Sequence, residues 1–186
     1  MSRIDSLREE LGGAHPLAVK KVKPYLEPYV RAYIEHAPFV VVATSNANGD
    51  CDASPKGGHP GFVKVIDDRT LLIPDVGGNR LFQGFQNIES NPKVGLVFMI
   101  PGMDMTARVN GRVRVVERAE LDERHVEAEL SNPDGNSKLV QGLMVSIDEA
   151  YFHCPRSFQF AELWNTETIE SNRKRSLKDL KANGAA

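Results

Sequence analysis

The sequence predicts a mainly β fold, an antiparallel barrel with peripheral α-helices, and three observations lead there. Runs rich in β-branched residues crowd together between residues 38 and 76, separated by turn residues and by no stretch long enough for a crossover helix. Two longer strand-like runs follow at 103–117 and 139–154. Six or seven such strands would leave exposed edges in an open sheet, so closure into a barrel is the economical arrangement.

Taken in order, residues 16–36 carry Leu17, Val19, Val22, Tyr25, Leu26, Tyr29, Val30, Tyr33 and Ile34 at helical spacing. Pro24 and Pro28 each remove a backbone donor, so the pattern predicts a short first piece and a better helix over 28–36. Residues 38–46 then read as a strand, and Asn48-Gly49 supplies the positive φ of a hairpin turn that returns residues 51–58 antiparallel. Residues 61–67 and 70–76 follow as two more strands around Asp67-Asp68, so that four strands arrive as a meander. Residues 79–89, opening on Asn79 and closing before Asn91-Pro92, predict a helix. Residues 94–100 form an uninterrupted apolar strand, and 103–117 a long one in which Gly111 marks a bulge or bend. A charged amphipathic helix is expected over 119–130, a loop over 131–138 and a last long strand over 139–154. From Arg173 onward five basic residues against one acid read as a solvated helical tail.

A chain of 186 residues with 41% apolar and 26% charged residues is ordinary globular material. Cys51 and Cys154 form no CxxC unit or disulfide framework, which suits a reducing cytoplasm. The apolar runs are too short for a membrane helix, and a net charge of −2 argues against a nucleic-acid module. His15, His36, His59, His125 and His153 are scattered without metal-ligand spacing, so no metal site is expected. Hydrolase, NTPase and dinucleotide-fold motifs are all missing from the sequence.

Two stretches carry chemistry. Residues 52–59 place Ser54, Pro55, Lys56 and Gly57 on one strand: a hydroxyl, a cation and room for close backbone approach, as an anionic or planar ligand requires. Pro55 is tolerated in a sheet only at an edge or a bulge, so it places that strand at one of the two. In residues 74–80 a strand ends, two glycines turn the chain, and Asn79 and Arg80 open a helix, which outlines an anion site built from free amides, helix dipole and a guanidinium. An Asn cap beside a surface arginine is the structural alternative.

The succession SPKGG, GGNRLFQGFQNIESNPKVGLVFMIPG, TARVNGRVRVV and YFHCPRSFQFAELW resembles the pyridoxamine 5′-phosphate oxidase-like flavin-nucleotide-binding proteins over roughly residues 35–165. The resemblance implies a homodimeric FMN-binding split β-barrel, antiparallel and Greek-key-like, with flavin sites shared between subunits. It divides the chain into a helical segment (1–36), the flavin-binding barrel (37–165) and a polar, basic tail (166–186). By position it implies that Ser54, Pro55, Lys56 and Gly57 run along the flavin and that Asn79 and Arg80 hold its phosphate. It also implies that Trp164 lies beside the ring, often from the second subunit; a buried core tryptophan is the alternative. His153, Cys154 and Arg156 belong to the resembling signature without a derivable role; Cys154 reads as a small buried residue and His153 as a hydrogen-bonded sheet histidine. The arginine and histidine arrangement that holds the pyridoxal substrate in true oxidases is missing. The implied function is that of an FMN-dependent oxidoreductase, with the flavin carrying the chemistry and a small-molecule substrate or nicotinamide electron donor as partner. A non-catalytic or redox-sensing flavin binder is one alternative. A barrel that holds haem, through His59 or His153, or a deazaflavin is another.

Overall fold

The computed structural model describes residues 2–13, 15–135 and 137–183. It opens on α1 (Arg3–Glu10), closed at its start by a reciprocal Ser2–Asp5 capping box, and α2 (Pro16–Lys20), with Pro16 in the first turn. The better helix expected at 28–36 is α3 (Pro28–His36), which buries Val30, Tyr33 and Ile34 against one end of the barrel. Tyr33 anchors it: its hydroxyl donates to the Met105 carbonyl at 2.5 Å and accepts from the Ile100 amide at 3.2 Å.

β1 (Phe39–Ser45) and β2 (Cys51–Gly57) form the expected hairpin, with Gly49 at φ 91° and the Asn46 side chain accepting from the amides of Asn48 and Asp50. β3 (Lys64–Asp67) and β4 (Thr70–Val76) form a second hairpin, turned by Asp67, which accepts from the Arg69 amide. The two hairpins do not join into a meander. In the sheet order β2-β1-β5-β6-β7-β4-β3, β2 and β3 stand at opposite ends. The link between them buries Phe62 and Val63 and finds its hydrogen bonds elsewhere: Gly58 donates to Pro38 and His59 to Glu129. Its backbone is thus satisfied without a β2–β3 ladder.

After α4 (Gln83–Ser90), β5 (Lys93–Met99) pairs with β1 and with β6 (Thr106–Glu117). The short α5 (Arg118–Glu123) leads toward β7 (Leu139–His153), which pairs with β6 along its length and with β4 over its first half. The sheet curls around Val40, Val42, Leu71, Ile73, Leu96, Phe98, Val109, Leu143 and Val145, and the seven antiparallel strands make a split barrel. A smaller cluster of Leu72, Val116, Leu121, Val126 and Met144 packs α5 on the outside.

The irregularity expected at Gly111 is there, with the extra residue on the facing strand: Asn110 pairs with Glu149 and Gly111 with Ile147, so Asp148 bulges out. A Cβ at Gly111 would lie 2.2 Å from the Ser146 carbonyl oxygen, so the chains approach as closely as only glycine allows. The helix expected over 119–130 stops at Glu123. His125 turns left-handed at φ 54°, Val126 folds back to donate to Leu121, and residues 126–130 run against the 58–62 link. Burial of Leu121 and Val126 overrides the helical periodicity there.

Beyond the barrel, α6 (Arg156–Phe160) and α7 (Thr166–Arg173) bury no side chain, and α8 (Leu177–Asn183) is exposed over 177–181. Cys154, expected to be buried, is exposed, as is Cys51. His153 ends β7 opposite Thr106, and its ring has no hydrogen-bond partner among the described residues. No described helix is long and apolar enough to cross a membrane.

Two outcomes follow for stability. Gly111→Ala should lower it by about 1–3 kcal/mol, the usual range for forced overpacking, read as a reduced urea midpoint; an unchanged midpoint would show that Ser146 moves away freely. Glu120 is held at a pKa of about 2, chiefly by the hydrogen bond from Arg114 and then by Arg124, against an ordinary 4.5. Its folded pKa is depressed, so its contribution is complete above pH 4.5 and is lost as pH falls toward 2. Glu120→Gln should therefore flatten the acid limb of the urea midpoint between those values.

Candidate functional site

A cleft of about 520 Å³ opens where the sheet is split, between the inner face of β2, the end of β4, the 77–82 loop, the start of α4 and residues 128–130. Burial along β2 alternates, with Asp52, Ser54 and Lys56 turned inward and Ala53, Pro55 and Gly57 outward. An inward row of an acid, a hydroxyl and an ammonium has no place against an apolar core, and here it faces the cleft. Pro55 confirms the edge position: it pairs with Val41 of β1 and has no strand beyond it.

Within the row, Ser54 Oγ donates to Asp52 Oδ2 at 2.6 Å. Lys56 Nζ donates to Asp75 Oδ1 across the split, with the two side chains only 17% and 12% exposed. The ammonium also lies 5.6 Å from the Phe85 ring centroid, a cation–π contact. Asp75 was not singled out from the sequence, yet it was visible there. Leu71 and Ile73 point into the core, so the alternation of β4 turns Asp75 inward as well, where a carboxylate needs a cation.

Asn79 was expected to cap a helix, and it does not. Its Oδ1 accepts from the Leu81 amide at 3.0 Å within the loop, and α4 begins four residues later. Arg80 and Phe82 both take left-handed conformations, at φ 62° and 51°, which turns the chain before the helix and leaves Phe82 as a cap without a capping side chain. The first turn of α4 therefore has no side-chain cap, and its Gln83, Gly84 and Phe85 line the cleft. A Cβ at Gly84 would meet Asp52 Oδ2 at 2.9 Å, so glycine lets the helix start lie directly over β2. Arg80 is exposed and makes no hydrogen bond or ion pair among the described residues.

The remaining walls are Val42, Phe62, Phe82, Phe85, Ile88 and Leu143, with the buried Asn87 donating to Thr44 Oγ1 at 3.2 Å at the floor of α4. Ser54, Pro55, Lys56, Gly57, Asn79 and Arg80 thus line one cavity although more than twenty residues separate the two segments. Trp164 is not among them. Its Nε1 donates to the Met103 carbonyl at 3.0 Å and its ring packs edge-on against Phe158, so the structure does not bring it into its own chain's cleft. His59 lies outside the cavity lining with Nδ1 3.4 Å from Ser131 Oγ, and His153 lies outside it too. Among the described residues no cluster of three or more His, Cys, Asp or Glu could hold a metal ion.

The family model described as pyridoxamine 5′-phosphate oxidase matches residues 26–154, well over half of the chain. Among solved structures, a HupZ protein of Group A Streptococcus is 18% identical with a TM-score of 0.51, covering 68% of this chain and 98% of its own. A putative pyridoxamine 5′-phosphate oxidase from Lactobacillus delbrueckii is 19% identical with a TM-score of 0.51, covering 69% and 95%. At that identity the likeness is one of fold. No curated protein matches the chain.

The Lys56–Asp75 pair should behave as a coupled unit. Lys56→Met or Asp75→Asn alone should each destabilise by about 2 kcal/mol, because the remaining charge is left half-buried and unpaired. The double variant should cost less than the sum by about 1 kcal/mol, measured by urea denaturation as a double-mutant cycle; strict additivity would show that the pair adds nothing across the split.

Proposed function

The chain belongs to the pyridoxamine 5′-phosphate oxidase family, and on that premise we propose that the split-barrel cleft holds FMN and that the protein is an FMN-dependent oxidoreductase acting on a small molecule. The observation that carries this reading is the polar inner row of β2 facing, across one cavity, the uncapped start of α4 and Arg80, which has no partner among the described residues.

The residues present fit such a group. A cavity of about 520 Å³ lies within the usual range for cofactor sites. The positive end of α4, with its free amides, and the guanidinium of Arg80 suit a phosphate. Lys56 does not suit it equally well, because Asp75 already balances its charge. The phosphate therefore belongs at the Arg80 and α4 end, and the ring along β2, where Ser54 and the remaining N–H groups of Lys56 offer donors to its polar edge. Phe62, Phe82, Phe85, Ile88 and Leu143 supply apolar walls that keep water from the ring. When bound, the flavin supplies hydride or electron transfer, so the site needs no acid–base pair of its own. The protein's part is to orient the ring, to place donors at its heteroatoms and to hold those donors still. Asp75 does the last by fixing Lys56.

The reading extends to a homodimer with shared flavin sites and to a nicotinamide or other small-molecule electron donor. Trp164, outside its own chain's cleft, is then a residue for the neighbouring subunit's flavin. The visible spectrum of the purified protein, with chromophore release by heat, is the direct test. FMN at about one per chain supports the reading, a Soret band would replace FMN by haem, and a protein that refuses added FMN would overturn it. Flavin bound without any NADH or NADPH oxidation would leave a flavin binder and remove the enzyme.

Arg80→Ala should weaken FMN binding by about 1.5–3 kcal/mol, roughly 10- to 100-fold in Kd, by removing a charge-assisted contact. Quenching of flavin fluorescence on titration measures this; an unchanged Kd would move the phosphate away from the 77–82 loop.

A further inference from the structure

On the outer face of β6 and β7, away from the cleft lining, positive charge gathers around one tyrosine. The register sets Arg108 opposite Tyr151 and Thr106 opposite His153. β4 covers β7 only as far as Ser146, and beyond it Lys23 takes the free side of β7 through two backbone bonds with Ala150, of 3.2 and 2.7 Å. That bridge fixes the chain after α2, and Lys21, two residues earlier, reaches the Tyr151 ring. Lys21 Nζ lies 5.6 Å and Arg108 Cζ 5.5 Å from the same Tyr151 ring centroid.

All four side chains are half-buried, so these are not charges spread into solvent. Lys21, Arg108 and His153 have no hydrogen-bonding or ion-pair partner among the described residues. Of the acids along β7, Asp148 binds Lys93 at 3.1 Å and lies 3.5 Å from Arg112, and Glu149, two residues from Tyr151 on the same face, turns to the Asn110 amide at 2.9 Å and forms no ion pair with Lys21 or Arg108 among the described residues. Arg156, just past the strand, turns onto the Phe160 ring instead. The His153 imidazole is held below its ordinary range by burial and then by the positive charges of Arg108 and Lys21, with no carboxylate acting the other way. The half-buried cations Lys56 and Lys64 each have a carboxylate partner, in Asp75 and Glu129, whereas Lys21 and Arg108, also half-buried, have none among the described residues. Repulsion between such like charges is relieved by an anion.

We propose that this patch is a second anion site, which takes the phosphate group of a small phosphorylated molecule between Lys21 and Arg108, with Tyr151 as its floor and His153 at its rim. The forked guanidinium and the point-charge ammonium are both phosphate ligands, and two fixed charges plus a third gained on protonation match a dianion better than a carboxylate. The site is independent of the flavin reading, because none of its residues lines the cleft.

Linkage supplies the test. An anion bound beside His153 stabilises the imidazolium, so its pKa must rise as the site fills. Imidazole proton resonances of the full flavin-free chain are followed against pH, with inorganic phosphate titrated at constant ionic strength in chloride. His153 should rise by about one pH unit, the lower end of what an opposite charge at contact produces, while His15, His36, His59 and His125 serve as internal controls. The rise should vanish in Lys21→Gln/Arg108→Gln and persist in Arg80→Ala. Lys21→Gln alone, on a surface segment, should weaken phosphate binding about tenfold, roughly one charge-assisted contact, and guards against a misfolded double variant. No phosphate-specific rise, a rise that survives the double variant, or an equal response to acetate would each overturn the assignment.

Discussion

The sheet ends at β2 and β3, and no ladder joins β2 to the end of β4 that faces it; the side chains of Lys56 and Asp75 span that gap instead. That substitution shapes everything nearby. A laddered closure would bring the two strands to ladder spacing and fill the interior with side chains, as small barrels do. An ion pair that reaches from the long side chain of Lys56 to Asp75 keeps them farther apart, and the space left is the cleft. The constraint runs in both directions. Each charge is mostly removed from water, so neither is tolerable without the other, and the pair in turn requires that β2 present its polar row inward. The apolar residues that would have completed the core are therefore supplied by α4 and by the 58–63 link, through Phe85, Ile88, Phe62 and Val63.

The split is compatible with a stable molecule because the opposite side of the barrel is strongly laddered. β6 and β7 pair along their whole lengths, and both are long enough to serve two neighbours: β6 carries β5 on its first half, β7 carries β4 on its own first half. A straight ribbon of that length could not join both halves of a closed sheet. The Asp148 bulge opposite Asn110-Gly111 supplies the bend, and Lys93 and Arg112 hold the extruded carboxylate from outside, which keeps its pKa below the usual carboxylate range.

Local signals in the sequence were faithful where local chemistry decides. Asn48-Gly49 and Asp67-Asp68 marked both hairpins, Pro28 the start of α3, Pro55 the edge strand and Gly111 the bulge, because each residue is chosen by a backbone requirement that its neighbours cannot change. What failed was decided at a distance. The separation of β2 from β3 depends on Pro38 and Glu129 accepting hydrogen bonds from the link, partners that no short window contains. The helix over 119–130 was cut short by the burial of Val126, and Cys154 is exposed because β7 ends just before it. In the cleft, SPKG and NR were recognisable as ligand-facing chemistry, whereas Asp75 and Phe85 matter through a pairing across the split that only the fold reveals.

The 77–82 loop shows how that chemistry is positioned. Gly77 and Gly78 would accept positive φ freely, yet the left-handed conformations fall on Arg80 and Phe82. Each costs roughly 1–2 kcal/mol relative to the ordinary regions, so the loop keeps a strained form rather than the relaxed one its glycines allow. What it gains is direction. With Arg80 left-handed and Asn79 closing a turn onto Leu81, the chain reaches α4 at the cleft lining with its first amides uncapped; a helix begun at Asn79, as the periodicity suggested, would have engaged them within its own first turns. The strain is thus the local cost of exposing donors. It is sustained by the packing of Phe82 on Phe85 and of Ile88 in the core, which holds α4 in place whether or not the cleft is filled.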